Sequence, residues 1–333
     1  MAKNDEHITL GHGSGGQLTH DLIERMLLPR FDNPALHPLE DSALLPGRLA
    51  FTTDSFVVSP LFFPGGDIGK LAVCGTVNDL AVAGARPRWI SCGLIIEEGF
   101  ARVDLETILD SMADTAREVG AQIVTGDTKV VEHGSADGLF INTAGVGERY
   151  EMYEPSAPRP GDAILVSGPV GDHEAAIFHA REQVARRLHV TSDCAALWPL
   201  VEAMMQHAVH IRTMHDPTRG GLATVLCETA QRAGCSFEID EAAVPVRHEV
   251  EGLCELVGFD PLYMACEGRL VAVVAADAAE AILATMRDHP LGEEAATIGR
   301  VLDEAKGACY LKTAVGGSRV LRMLAAQQLP RIC

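Results

Sequence analysis

Positive charge is scarce in this 333-residue sequence: 27 Lys and Arg stand against 46 Asp and Glu, a formal balance of −19. Such an acidic chain repels phosphate backbones and anionic headgroups, which argues against general nucleic-acid or membrane-surface binding, and any anionic substrate needs local help. Long apolar runs are also missing. No stretch reaches the ~18 residues of a membrane span, and the opening MAKNDEHITL lacks the charged-then-apolar order of a secretory signal, so the expected location is the cytoplasm. No two of the nine cysteines form a C-x-x-C pair, and their number is odd; neither a disulfide framework nor a zinc knuckle fits. Eight of them stand in apolar or mixed stretches and read as small core hydrophobes. Cys333, at the end of the sequence, has no such explanation. The histidines contain no H-E-x-x-H arrangement, and a zinc or di-iron centre is not expected.

What is present is core-forming material. With 47% hydrophobic and 22% charged residues, burial can offset the entropy of ordering, and at ~150 residues per domain the length suggests two domains. The first half alternates strand-like and helix-like segments. Residues 48–53 and 122–125 read as short strands ending at Asp54 and Asp127. Residues 68–84 read as a helix of small and apolar residues stopped by Gly84, and Asp104 is expected to cap a second helix that Gly120 ends. Residues 139–146 supply another strand. The segment 154–162, EPSAPRPGD, holds three prolines and no periodicity and reads as a domain boundary. Beyond it, strands are expected at 163–167, 269–275 and 309–312, and helices at 172–187, 195–208, 220–233 and 278–288. Residues 320–324 fit either state. No internal repeat is apparent.

Four glycines in the six residues Gly11-His12-Gly13-Ser14-Gly15-Gly16 can bring backbone N–H groups close to a phosphate, or form a plain N-terminal loop. The Gly65–Leu71 stretch imitates a P-loop but has one residue too few between its glycines and Leu71 where Ser or Thr should stand. Asp54, Asp79, Asp127 and Asp216 are each explicable as turn or cap formers. Together they suggest carboxylates that hold Mg²⁺ ions bridging nucleotide phosphates. Thr218-Arg219-Gly220-Gly221, at a helix start, offers N–H groups and a guanidinium to phosphate. In the tail, Leu329-Pro330-Arg331-Ile332-Cys333, Pro330 favours an extended chain, and about ten residues reach ~33 Å. A frayed terminus is the plainer reading of it. The carboxylate beside Cys333 disfavours its thiolate, and Arg331 is the expected counter-charge.

Taken together, HGSGG at 12–16, FTTDS at 51–55, PLFFPGGDIGKLA at 60–72, GTVNDLAVAGARP at 75–87, VTGDTKVV at 124–131, TRGG at 218–221 and the closing LPRIC resemble the HypE family of hydrogenase-maturation proteins. That family lies in the PurM-like (aminoimidazole ribonucleotide synthetase-like) superfamily. The resemblance implies a two-domain PurM-like α/β (α+β) fold. Its expected parts are a Gly-rich lid and helix at 1–40, an ATP-binding mixed-sheet domain that dimerises at 41–153, a linker at 154–162, a second α/β domain at 163–324 and a flexible tail at 325–333. It further implies ATP-dependent dehydration of a carbamoyl group on Cys333 to S-cyanate. HypF would be the carbamoyl donor, and HypC and HypD the acceptors of the cyanide. In residue terms it implies Asp54, Asp79 and Asp216 on Mg²⁺, with Asp127 as a further ligand or a substrate-proximal carboxylate. Lys129 and Glu267 would handle protons beside Cys333. His12, Gly13, Ser14, Gly15, Gly16, Asn78, Thr218, Arg219, Gly220 and Gly221 would hold ATP, with His215 at the phosphate end. Pro217 departs from the pattern, which has a small residue there. For Glu267 a salt bridge to Arg269 or another nearby Arg is the competing structural reading. A small-molecule phosphotransferase of the same superfamily and a nucleotide-dependent carrier or scaffold are the alternative functions.

Overall fold

The computed structural model describes residues 7–31, 33–36, 39–182, 189–324 and 329–333. The first half begins with α1 (Gln17–Leu22), a π-helical turn and α2 (Leu28–Phe31). There follow β1 (Ala43–Leu45), β2 (Leu49–Phe56), a small hairpin of β3 (Phe62–Phe63) and β4 (Gly66–Asp67), α3 (Ile68–Val82), β5 (Ala85–Glu97), α4 (Arg102–Glu118), β6 (Gln122–Val131) and β7 (Leu139–Arg149). The second half contains β8 (Ala163–Val166), α5 (Asp172–Glu182), α6 (Trp198–Met204), β9 (Ile211–His215), α7 (Gly221–Ala233), β10 (Ser236–Asp240), α8 (His248–Val257), β11 (Val271–Val274), α9 (Ala279–Arg287), β12 (Ala296–Leu302), β13 (Cys309–Lys312) and β14 (Ser318–Leu321).

The two halves form separate mixed sheets, ordered β1-β2-β7-β5-β6 and β14-β13-β10-β12-β8-β11-β9. Strand β11 is buried along its whole length, as its unbroken apolar run requires. Among the elements not anticipated from the sequence, β5 is the longest and lies between β6 and β7; Gly, Pro and Arg interrupt its apolar pattern. Helix α4 starts at Arg102 with Ala101 as its cap, three residues before the expected cap Asp104, which lies in its first turn. The end of the helix expected over 172–187 lies outside the described residues beyond Glu182.

Helix α3 is the element that joins the halves. Its apolar residues surround the whole axis, and its small residues let neighbours approach closely. A Cβ at Gly69 would stand 2.3 Å from the Ile108 carbonyl, and one at Gly75 would stand 2.8 Å from the Phe56 ring. Asp67 caps the helix by accepting from the N–H groups of Gly69 and Lys70. The P-loop-like segment is therefore a hairpin and a closed helix start, with those donors already taken. The core on one side of α3 includes Phe56, Leu71, Ile90, Ile108 and Met112 of the first half, and Ile177, Cys194 and Ala265 of the second. Leu329 and Ile332 of the tail complete it.

Gly84 ends the turn after α3 with φ +69°, and a Cβ there would stand 2.0 Å from the buried Tyr153 ring. Gly84→Ala combines left-handed strain with overpacking, and a loss of about 2–4 kcal/mol in unfolding free energy is expected. Denaturant titration of both proteins measures it; equal stability would show that Tyr153 moves aside freely.

Candidate active site

Strand pleating decides which carboxylates meet. Successive residues of a strand face opposite sides, and on β2 the buried Thr52 and Phe56 mark the face toward α3, with Asp54 between them. Asp79 projects from α3 toward the same place, where the Thr52 hydroxyl lies 2.6 Å from its Oδ2. Asp216, directly after β9, arrives from the second half. All three carboxyls are pushed above the usual carboxylate range. Burial is the main cause for each; Asp54 and Asp216 add repulsion at Asp79, Asp54 adds it at Asp216, and Asp41 adds it at all three, while a hydrogen bond with Asp79 draws Asp54 back down. Arg219 partly opposes the shift at Asp54. Asp216 Oδ2 is buried without a hydrogen-bond partner, as expected of an oxygen meant for a cation.

Cys333 shares this cleft. Burial pushes its thiol up to about 12; Arg219 pulls the other way, and Glu267 and Asp54 add to the rise. The counter-charge is thus Arg219 and not Arg331, which is drawn aside to Asp137 and lies over the Phe140 ring. Glu267 is buried, and its Oε1 has no partner. Its carboxyl is raised well above normal, first by burial and then by Cys194, Asp216 and Asp193. The expected alternative, an ion pair with Arg269, does not form: Arg269 turns to Asp193 at 3.7 Å and to the Pro169 carbonyl at 3.0 Å. Asp193 also accepts from the backbone N–H of Glu267 and Gly268. Residues 325–328 of the tail lie outside the described residues. The rest of the tail is docked where a flexible segment was expected.

The glycine-rich segments meet over the start of α7. Gly220 and Gly221 both have left-handed backbones, with φ of +80° and +62°, and a Cβ at Gly221 would stand 2.7 Å from two carbonyls. Only glycine fits there without strain. Pro217, the departure from the family pattern, causes no disorder, since its carbonyl accepts from Cys266 N at 3.0 Å. Arg219 donates to the Gly13 carbonyl at 2.9 Å, and Gly15 packs against its stem. The Gly-rich lid therefore lies on the Thr218–Gly221 turn. Within it, Ser14 is turned inward to donate to Gly11, His12 is bonded to Thr9, and Gly16 abuts the Leu324 carbonyl.

Several expected residues sit elsewhere. Asp127 and Lys129 lie inside β6, a strand that runs on past the expected end to Val131. Asp127 is in register with Gly93 and, through it, with Asn142 and Ser55. That row is on the opposite face of the sheet from Asp54. Exposed on that face, the two residues pair with each other, Nζ to Oδ2, at 2.8 Å, and this chain does not bring them to its own acidic cluster. Asn78, expected on ATP, has its amide engaged elsewhere in this structure. It is fully buried, its amide donates to the carbonyls of Ala195 and Glu267, and its Oδ1 accepts from Leu197 N at 2.8 Å. His215 is likewise occupied, with Nδ1 2.7 Å from Asp41 Oδ2 and Nε2 3.1 Å from Thr213. Asp41 went unnoticed in the sequence, where Glu40-Asp41-Ser42 was the available signal. Glu40, Asp41 and His215 offer ligand atoms within 4.8 Å of one another.

Asn78→Ala takes the partner from the Leu197 N–H and the Ala195 carbonyl, while the Glu267 carbonyl keeps the Ala195 N–H at 3.3 Å. A loss of about 2–4 kcal/mol of stability is expected, seen as an earlier denaturant midpoint; an unchanged midpoint would restore Asn78 as a free ligand. Glu174 of α5 is buried beside the tail, accepts from Ala265 N, and is raised from 4.5 to about 7, chiefly by burial. Its folded-state pKa exceeds the unfolded one, so its contribution is full below about pH 4.5 and is lost as pH rises through 7. Glu174→Gln is expected to remove roughly 3 kcal/mol from the fall in stability between those pH values. Parallel pH–stability curves for the two proteins would refute this.

Residues 39–149 match the family described as "AIR synthase related protein, N-terminal domain", and residues 159–312 match its C-terminal counterpart. The sequence is 51% identical over 340 residues, covering 100% of both chains, to "Carbamoyl dehydratase HypE" of Rhodobacter capsulatus. The fold superposes on the structure titled "Crystal structure of HypE-HypF complex" with TM-score 0.88, 46% identity and coverage of 91% of this chain and 99% of that one. It also superposes on a structure of hydrogenase maturation protein HypE in complex with ATP, with TM-score 0.82, 48% identity and coverage of 98% and 100%. The chain belongs to the HypE carbamoyl dehydratase family of AIR synthase related proteins.

Proposed function

We propose that this chain uses ATP to dehydrate an S-carbamoyl group on its own Cys333 to S-cyanate, the source of the cyanide ligands of [NiFe]-hydrogenase iron. The observation that carries this reading is the seat of Cys333 in the cleft, where its thiol feels Arg219, Glu267 and Asp54. An amide does not lose hydroxide readily, so its oxygen must first become a better leaving group. Transfer of the ATP γ-phosphoryl group to the carbamoyl oxygen releases ADP. Loss of both N–H protons with departure of phosphate then leaves a nitrile on sulfur. Arg219 and the left-handed glycine turn bind phosphate charge, and the partnerless Oε1 of Glu267 takes or returns a proton. Asp54, Asp79 and Asp216 fit Mg²⁺ as an all-oxygen ligand set, and the ion when bound would neutralise charge on the nucleotide phosphates. Asp41, held by His215, stands next to this set.

A carbamoyl donor must reach Cys333, and the similarity to a protein crystallised with HypF supports HypF in that role, in the cytoplasm. HypC and HypD are the proposed recipients of the cyano group. Homodimerisation is proposed through the uncovered face of the five-stranded sheet. There Phe51 and Trp89 are both in register with Val146, and they and Ile95 are 40–44% exposed. The same face carries Asp127 and Lys129, and a second copy docked on it is the route by which these two would approach an active site. A phosphotransferase acting on a free small molecule leaves the half-buried tail cysteine without a role.

Chain carbamoylated on Cys333 is expected to lose the mass of one water on incubation with ATP and Mg²⁺ and to gain a nitrile stretch in the infrared. Glu267→Gln should slow this step by about 10²–10⁴-fold with ATP binding retained. A constant mass with ATP bound would dismiss the reaction.

A further inference from the structure

Residues 331–333 lie along residues 57–59 in the manner of an antiparallel pair: Val57 N donates to the Cys333 backbone oxygen at 3.1 Å and Ser59 N donates to the Arg331 carbonyl at 3.2 Å. On its other side the tail meets α5. Arg181 donates through Nη1 to the Pro330 carbonyl at 2.8 Å and through Nη2 to the Arg331 carbonyl at 2.9 Å, while its Nε reaches the Ser59 carbonyl at 3.0 Å. His173 Nε2 lies 2.7 Å from the Ile332 carbonyl, and its Nδ1 lies 2.8 Å from the Ser192 hydroxyl. Burial keeps this imidazole neutral. Its Nε2–H then donates to the tail while Nδ1 accepts from Ser192. The consecutive carbonyls of residues 330–332 are thus all taken by two α5 side chains. Arg331 has a left-handed backbone, φ +56°, a strained conformation for a residue with a Cβ that persists only where its surroundings over-determine it.

We infer that Arg181 and His173 form a latch that reads the tail backbone and holds Cys333 in the cleft, so that they are positioning residues for the dehydration step. The inference rests on the proposed role of Cys333 as carrier of the reacting group. The latch contacts main chain, so it fixes where the sulfur lies without touching the carbamoyl group. Loading of the thiol by a partner would require these hydrogen bonds to break and Leu329 and Ile332 to leave the core.

Alkylation of Cys333 by iodoacetamide in the full chain, followed by peptide mass mapping without ATP or a carbamoyl donor, tests the latch apart from the chemistry. Arg181→Ala should speed modification about tenfold or more, with Arg181→Lys in between, because Arg181 is partly exposed and its loss leaves the core intact. In single turnover of protein already carbamoylated, the same Arg181→Ala change should slow water loss and leave the ATP concentration dependence unaltered. Wild-type alkylation rates in Arg181→Ala overturn the latch. His173→Asn, which keeps a donor, serves as the second variant, and a rate equal to that of His173→Ala would remove His173 from it. Faster alkylation together with no ATP-driven water loss in any protein, wild type included, would uphold the latch while rejecting the proposed reaction.

Discussion

Buried like charge is the constraint on which this structure turns. Asp54, Asp79, Asp216 and Glu267 are buried where water is scarce, which makes each harder to ionise; Asp41 adds repulsion at the three aspartates, and Asp54 and Asp216 add it at Glu267. Such a cluster is costly unless something else supplies positive charge, and the chain commits Arg219 to that place. Under the proposed function, a divalent cation held by these carboxylates and, through it, a nucleotide would meet the rest of the requirement. An acidic protein can in this way bind one of the most anionic small molecules in the cell.

The cluster exists because α3 is built of residues small enough to be enclosed on all sides. Gly69 and Gly75 admit α4 and the Phe56 ring at distances no side chain would allow. That proximity lets β2, α3 and the segment after β9 bring their carboxylates together. Asn78 of the same helix holds Glu267 and Ala195 by their carbonyls, tying the second half to the first across the cleft. The tail closes the arrangement from outside: its apolar residues Leu329 and Ile332 complete a core shared by both halves, and its carbonyls are met by α5. Cys333 is placed by the same packing that holds the halves together.

Much of the framework was legible in the sequence. Glycines at 84, 120, 220 and 221 marked helix ends and starts, the apolar run at 269–275 marked a buried strand, and Asp54 and Asp127 at strand ends, Asp79 in a helix of small apolar residues and Asp216 before the glycine turn stood out as carboxylates. Other features were not legible. Strand β5 was hidden because Gly, Pro and Arg break its pattern, and Asp41 was hidden because an acidic pair in a polar loop resembles any turn. The partners of Asn78, more than a hundred positions away at 195, 197 and 267, were equally hidden.

Local chemistry, written into the sequence itself, determined that there would be a glycine turn at a helix start, a set of carboxylates and a thiol on the closing segment. Those properties depend on residue type and on neighbours within a few positions. Tertiary structure alone decided which of them meet. The pleat of the five-stranded sheet sends Asp54 toward α3 and Asp127 to the opposite face, and chain folding sets Arg219 rather than Arg331 beside Cys333. Such choices depend on strand register and on packing between residues more than a hundred positions apart, for which no short stretch of sequence carries a signal.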